Sequence, residues 1–188
     1  MRTPVFHVGF PKTGSTFLQW KVFPYINNVD YLGLYPKNGP QPEDGTKIKW
    51  LADKSLKPFY KELFYKDEIN FNLQKTQTLL SEILDKSNKD TPLFSHEAGV
   101  GILYSYPDAA VKARRLRDVF GNELKVIIII REQLGFLESQ YRDHPFSPTD
   151  LINGRPLCFD KWLEEAMSMN FFSRTVIVRN RSIVDFYQ

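Results

Sequence analysis

PVFHVGFPKTGSTFL, residues 4–18, decides the fold. Its first half, Pro4 to Val8, is an apolar run rich in β-branched and aromatic residues, and this predicts a strand over Val5–Val8. A loop bracketed by Gly9 and Gly14 follows, and Ser15-Thr16 opens a segment that reads as a helix to about Phe23, ahead of Pro24. A strand, a glycine-bracketed loop and a helix in that order form an anion cradle. Loop N–H groups and the helix N-terminus both point at a bound phosphate.

Outward from this segment the chain alternates between strand and helix signals. Val29–Leu34 reads as a second strand, and 36–57 as a surface insertion containing Pro36, Gly39, Pro40, Pro42 and Gly45 among charges. Apolar residues recur with helical spacing over Phe59–Tyr65 and Phe71–Leu84. Leu93–Ser95 reads as a short strand introduced by Pro92. A helix from Pro107 stops near Gly121-Asn122. Lys125–Ile130 is an apolar strand leading into a helix from about Glu132 to Tyr141; Phe159–Met169 is a further helix and Thr175–Val178 a last strand. Strands separated by helices imply crossover connections. The expected fold is therefore α/β, a three-layer sandwich with a mainly parallel central sheet. Ligands in such sheets sit beyond the carboxyl ends of the strands, where Gly9–Gly14, His96-Glu97 and Arg131 all fall.

The loop spacing Gly9-x4-Gly14-Ser15-Thr16 approaches a Walker A loop, which needs a lysine immediately before Ser/Thr; here Gly14 holds that place and Lys12 sits mid-loop. Pro11-Lys12-Thr13-Gly14-Ser15-Thr16-Phe17-Leu18 instead resembles the 5′-phosphosulfate loop of sulfotransferases that use PAPS (3′-phosphoadenosine-5′-phosphosulfate). A second element carries the same resemblance. Strand Val126–Ile130 ends in Arg131, Ser139 follows eight residues later and then Tyr141, which is similar to that family's 3′-phosphate element. The chain resembles the carbohydrate and bacterial type of the family most closely, over residues 4–142. The resemblance implies a P-loop NTPase-like fold and PAPS as co-substrate, with PAP as product.

Residue by residue, the resemblance implies that Pro11, Lys12, Thr13, Gly14, Ser15 and Thr16 hold the 5′-phosphate. Phe17 lies at a position near the adenine, and Arg131 with Ser139 holds the 3′-phosphate. Lys12 would stabilise charge growing on the leaving oxygen. The acceptor needs a general base, and the family places one near Leu93–Glu97; Glu97 is the first candidate and His96 the second. Adjacent residues on an extended segment point opposite ways, so one of the two faces the cleft. Taken without the resemblance, Lys12 is a solvated loop lysine, Ser15 a helix cap, Phe17 a core residue and Arg131 a partner of Glu132. His7 and His144 read as structural. The aromatic and lysine-rich stretch 31–66 is the candidate acceptor-binding cap.

Two departures from the family pattern stand out. Gln133 occupies the place of a proline two residues after the arginine. The basic, glycine-containing loop expected past the last strand is not matched by Arg174, Arg179 and Arg181, so the C-terminus reads as short. A non-catalytic PAPS- or PAP-binding module is therefore one alternative. A P-loop small-molecule kinase is the other, disfavoured because Arg131 ends the strand where a magnesium-binding aspartate would be wanted.

Composition agrees with a single enzyme domain over residues 1–188. The chain is 42% hydrophobic and 25% charged, and its net charge of +3 is too mild to argue for nucleic acid. The single cysteine, Cys158, excludes an intramolecular disulfide and a cysteine-rich metal site. No metal is expected. No secretory leader precedes the first strand, and no apolar run is long enough to span a membrane, so the expected location is cytoplasmic. The expected partner is a small-molecule or carbohydrate acceptor.

Overall fold

The computed structural model describes residues 3–9, 13–33, 56–100, 109–143, 145 and 155–168. The insertion at 36–55, the start of the helix at Pro107, His144, the strand Thr175–Val178 and the basic residues around it lie outside the described residues. Four strands form one sheet: β1 (Val5–Gly9), β2 (Val29–Gly33), β3 (Thr91–Ser95) and β4 (Lys125–Ile129), in the order β2-β3-β1-β4. Every pairing is parallel. The fold is α/β, with an all-parallel sheet flanked by helices.

The order of the strands dictates which face each helix covers. A right-handed crossover moving one way across a sheet packs on one face, and a crossover moving the other way packs on the opposite face. β1 to β2 moves one way; β2 to β3 and β3 to β4 move the other. Side chains divide accordingly, with period two. Val5, Tyr31 and Leu93 pack with Leu18, Val22 and Phe23 from the segment after β1. Phe6, Val8, Leu32 and Phe94 pack on the other face, against helices α2 (Leu56–Tyr65), α3 (Leu73–Asp85) and α4 (Ala109–Phe120). This second face holds the main core. Phe6 and Phe94 stack with ring centroids 5.9 Å apart, and Phe59 and Phe120 meet Phe94 at 5.7 and 5.1 Å.

Local chemistry explains where the elements begin and end. Asn72 caps α3 by accepting the Lys75 N–H at 2.9 Å, so the helix starts at Leu73 and not at Phe71. β3 starts at Thr91 and includes Pro92 although it is an inner strand. The Thr91 N–H donates to Asn28 on the β2 side, so the N–H that Pro92 lacks would point toward β1. The ladder on that side begins only at Val5 opposite Leu93, and no ladder bond is lost. α4 is rich in basic residues yet packs inward at Arg115. Its guanidinium donates to the Leu63 and Lys66 carbonyls at 3.2 and 2.7 Å, closing the C-terminal end of α2, and lies over the Phe71 ring.

Beyond β4, α5 (Gln133–Asp143) and α6 (Phe159–Ser168) share a smaller cluster centred on buried Trp162, with Leu137, Tyr141 and Phe159 around it. Tyr141 donates its hydroxyl to the Leu157 carbonyl at 2.6 Å, which gives it a packing role. Among the described residues no helix is long and apolar enough to cross a membrane.

Because Phe94 is fully buried among three other rings, truncating it leaves a cavity as well as losing transfer free energy. Phe94→Ala should lower the unfolding free energy by about 3–5 kcal/mol in urea titrations. A loss below about 1 kcal/mol would mean that this face of the sheet is not the main core.

Candidate active site

β1 and β4 end at the same level, and β3 ends two residues short of them. β1 lies between β3 and β4, with His7 opposite Ser95 and Gly9 opposite Ile129. The loop leaving Gly9 therefore starts beside the end of β4, and Arg131 lies two residues beyond Ile129. Adjacent strands are about 4.8 Å apart and each residue advances about 3.3 Å, so the two strand ends lie side by side at one edge of the sheet. On the other side of β1, β3 ends at Ser95 and Glu97 opens a 3-10 turn, Glu97–Val100.

The loop re-enters the described residues at Thr13. Gly14 has φ 83°, a left-handed conformation suited to glycine, and its carbonyl accepts the Leu18 N–H at 3.0 Å. Ser15 starts α1 (Ser15–Phe17), and its buried hydroxyl lies 3.3 Å from that of Thr13. Gly9 is as closely approached: a Cβ there would overlap the Ser15 hydroxyl. Thr16 is exposed. Phe17 is 63% exposed, so its ring is a surface feature and not part of the core. Pro11 and Lys12 lie outside the described residues.

The helix expected over 15–23 is not uniform. After α1 the chain winds as a π-helix, Leu18–Val22, and then as a 3-10 turn, Phe23–Tyr25, with Pro24 inside that turn. The wider turn keeps Ser15, Gln19 and Phe23, spaced by four, on one inward line, and all three are buried. Gln19 donates through Nε2 to Ser95 Oγ at 3.0 Å, and His7 Nδ1 lies 2.8 Å from the same oxygen. His7, Ser95 and Gln19 thus tie β1, β3 and the loop's helix together in a buried polar cluster. His7 Nε2 has no hydrogen-bond partner among the described residues. Burial pushes the His7 imidazole down to about 4, so the ring is neutral at ordinary pH.

The two base candidates part company. His96 is buried against the rings of Tyr60, Phe64 and Tyr65, with centroids at 4.8, 5.3 and 5.8 Å. Its Nδ1 accepts the Ala98 N–H at 2.9 Å. Burial, with the positive charge of Lys112, lowers its pKa to about 3. Glu97 is half-buried at the head of the 3-10 turn, and its charge, after burial, helps to push the Tyr65 hydroxyl up. Of the candidate cap over 31–66, Tyr31, Phe59 and Tyr60 are core residues. Half-exposed Tyr65 is the aromatic of that stretch, among its described residues, that borders Glu97; positions 34–55 lie outside the described residues.

Arg131 is exposed at the end of β4. Glu132, next to it, is the N-cap of α5: its carboxylate accepts the Leu134 N–H at 2.9 Å and also the Gly135 N–H, and its carbonyl accepts Phe136 N–H at 3.1 Å. Ser139 lies one helical turn beyond Gly135 and is half-buried. Among the described residues no group of three or more His, Cys, Asp or Glu could hold a metal ion.

The cluster of His7, Gln19 and Ser95 was missed by the sequence reading, which treated His7 as structural and gave the other two no role. The signal was faint: a histidine inside an apolar strand, one residue from the loop. Its partners become visible only once β3 is known to neighbour β1. Compared with protein-family models, with curated proteins and with solved structures, the chain matches none.

The two buried histidines make stability depend on pH. Each is neutral when folded and has an ordinary pKa near 6.5 when unfolded, so the unfolded chain binds the extra protons. Their contribution is complete above the unfolded value and is lost as the pH falls from about 6.5 towards 4 and then 3. Urea titrations from about pH 7 to about pH 5 should show falling stability, and His96→Gln should flatten that slope by about one proton. An unchanged slope in the variant would remove His96 from this account.

Proposed function

We propose that this protein is a PAPS-dependent sulfotransferase with a P-loop-like fold, moving a sulfuryl group to a hydroxyl or amine of a small-molecule or carbohydrate acceptor and releasing PAP. One observation carries the reading. The glycine-bracketed loop, Glu97 and Arg131 leave the carboxyl ends of three adjacent parallel strands, with the loop on the central one. Two anion-binding elements and a carboxylate so arranged suit a co-substrate with phosphates at both ends and an acceptor between them.

The parts divide the chemistry. Thr13, Gly14, Ser15 and Thr16, with Pro11 and Lys12 in the same loop, hold the 5′-phosphate side. Exposed Phe17 offers its ring to the adenine. Arg131 offers two parallel N–H donors to the 3′-phosphate, with the Ser139 hydroxyl, from α5, as its partner there. The acceptor oxygen or nitrogen attacks sulfur in line, its proton passes to Glu97, and the sulfur–oxygen bond to the phosphate breaks with its electron pair on PAP. Charge grows on that departing oxygen, where Lys12 stabilises it. Glu97 is preferred to His96 as base because His96 is enclosed by three rings with Nδ1 already engaged.

Arg131→Ala should weaken PAP binding by at least about tenfold while leaving ADP binding within about twofold. Equal losses for both nucleotides would remove Arg131 from the 3′-phosphate site. Glu97→Gln should lower kcat by about 10²–10⁴ with PAP affinity unchanged, measured as PAP release across an acceptor panel. Turnover at the wild-type rate would mean that another group takes the proton.

A further inference from the structure

The His7 ring lies beside a small space at the start of the loop. A Cβ built on Gly9 would overlap the Ser15 hydroxyl and would lie 3.1 Å from His7 Cε1, the ring atom bonded to Nε2. The Ser15 hydroxyl and the His7 ring edge thus border one space, open because residue 9 has no side chain. Both residues are buried, and the His7 ring is set against Phe23 with centroids 5.1 Å apart. One proton decides the tautomer. Gln19 Nε2 donates to Ser95 Oγ at 3.0 Å, so the single hydroxyl proton of Ser95 goes to His7 Nδ1, 2.8 Å away. The reverse assignment would aim two donors at Ser95 Oγ and leave its buried proton without an acceptor among the described residues. His7 Nδ1 is therefore an acceptor. The ring is neutral, because burial lowers its pKa to about 4, and so it carries its proton on Nε2. That N–H ends a one-way chain of donors, Gln19 to Ser95 to His7, and has no acceptor among the described residues.

We propose that His7 is a positioning residue for the anion held by the loop. With a 5′-phosphate bound, His7 Nε2–H donates to Ser15 Oγ, and the Ser15 hydroxyl proton is directed at a phosphate oxygen. A hydroxyl oxygen accepts and donates at once, so Ser15 extends the chain of donors to the ligand and no group in it ionises. Each bond polarises the next, and the phosphate charge strengthens the last of them. His7 touches no ligand and acts through Ser15. The inference rests on reading the loop as the 5′-phosphate site and makes no use of Arg131.

The test is calorimetric titration of the full chain with PAP and with adenosine 3′-phosphate, which lacks the 5′-phosphate. Wild-type protein that binds PAP no more tightly than adenosine 3′-phosphate overturns the reading of the loop, and this inference with it. Given a PAP preference in the wild type, two substitutions separate the ring nitrogens. A glutamine amide N–H reaches the place of Nε2, and an asparagine amide that of Nδ1. His7→Gln should keep PAP affinity within about threefold, whereas His7→Asn should lose about tenfold or more. Adenosine 3′-phosphate affinity should stay within about twofold in both. A histidine that only braces Ser95 predicts the opposite order, since asparagine keeps that bond and glutamine gives it up. The opposite order, or equal effects in the two variants, overturns the proposal. Nitrogen-15 NMR of the wild type decides the matter even where a variant does not fold. His7 should be neutral with its proton on Nε2, and PAP, but not adenosine 3′-phosphate, should shift that proton downfield. A proton on Nδ1, or an Nε2–H that PAP leaves unmoved, overturns the proposal.

Discussion

β1 hydrogen-bonds to β3 on one side and to β4 on the other, and the register of those two ladders is the constraint on which the site depends. With His7 opposite Ser95 and Gly9 opposite Ile129, β1 and β4 end together and β3 ends two residues earlier, all three at the same end of the sheet. A slip of one residue would turn every side chain of β1 to the other face. It would put His7 into the aromatic core and Phe6 against the loop's helix. Phe6 and Val8, fully buried among phenylalanines, therefore fix the position of the loop as much as they stabilise the sheet.

The polar cluster under the loop reinforces this register. Ser95 Oγ meets both His7 and Gln19, each bond buried, where an unsatisfied partner costs more than a formed bond contributes. Through the π-helical stretch after α1, Ser15, Gln19 and Phe23 stay on one inward line, and all three are buried. Rigidity at the loop's base thus comes from one hydroxyl shared by two strands and a helix. Such support suits a site that must hold a multiply charged ligand in one orientation.

Much of the fold was legible in the sequence, because its signals are local. Short β-branched runs such as Val126–Ile130 and stops such as Gly121 mark elements regardless of what they touch. The winding of 18–25 was not legible, because no local signal in those residues separates a π-helix from an α-helix, and the Gln19–Ser95 bond joins residues far apart in the chain. Nor was the division of labour at His96-Glu97. Both residues are polar and adjacent, and only the packing of α2 shows that His96 faces Tyr60 and Phe64. At Arg131 the sequence reading weighed phosphate against an ion pair with Glu132. The structure shows the Glu132 carboxylate also accepting the N–H groups of Leu134 and Gly135, a capping role that the sequence reading did not include.

The central claim is that the strand ends form a site for a nucleotide phosphorylated at both the 5′ and 3′ positions. Calorimetric titration of the wild-type chain with PAP and with ADP, each with and without magnesium, tests it most directly. The account predicts tight PAP binding that is indifferent to magnesium, with ADP bound far more weakly. ADP binding that equals that of PAP and depends on magnesium would contradict it and point to phosphoryl transfer.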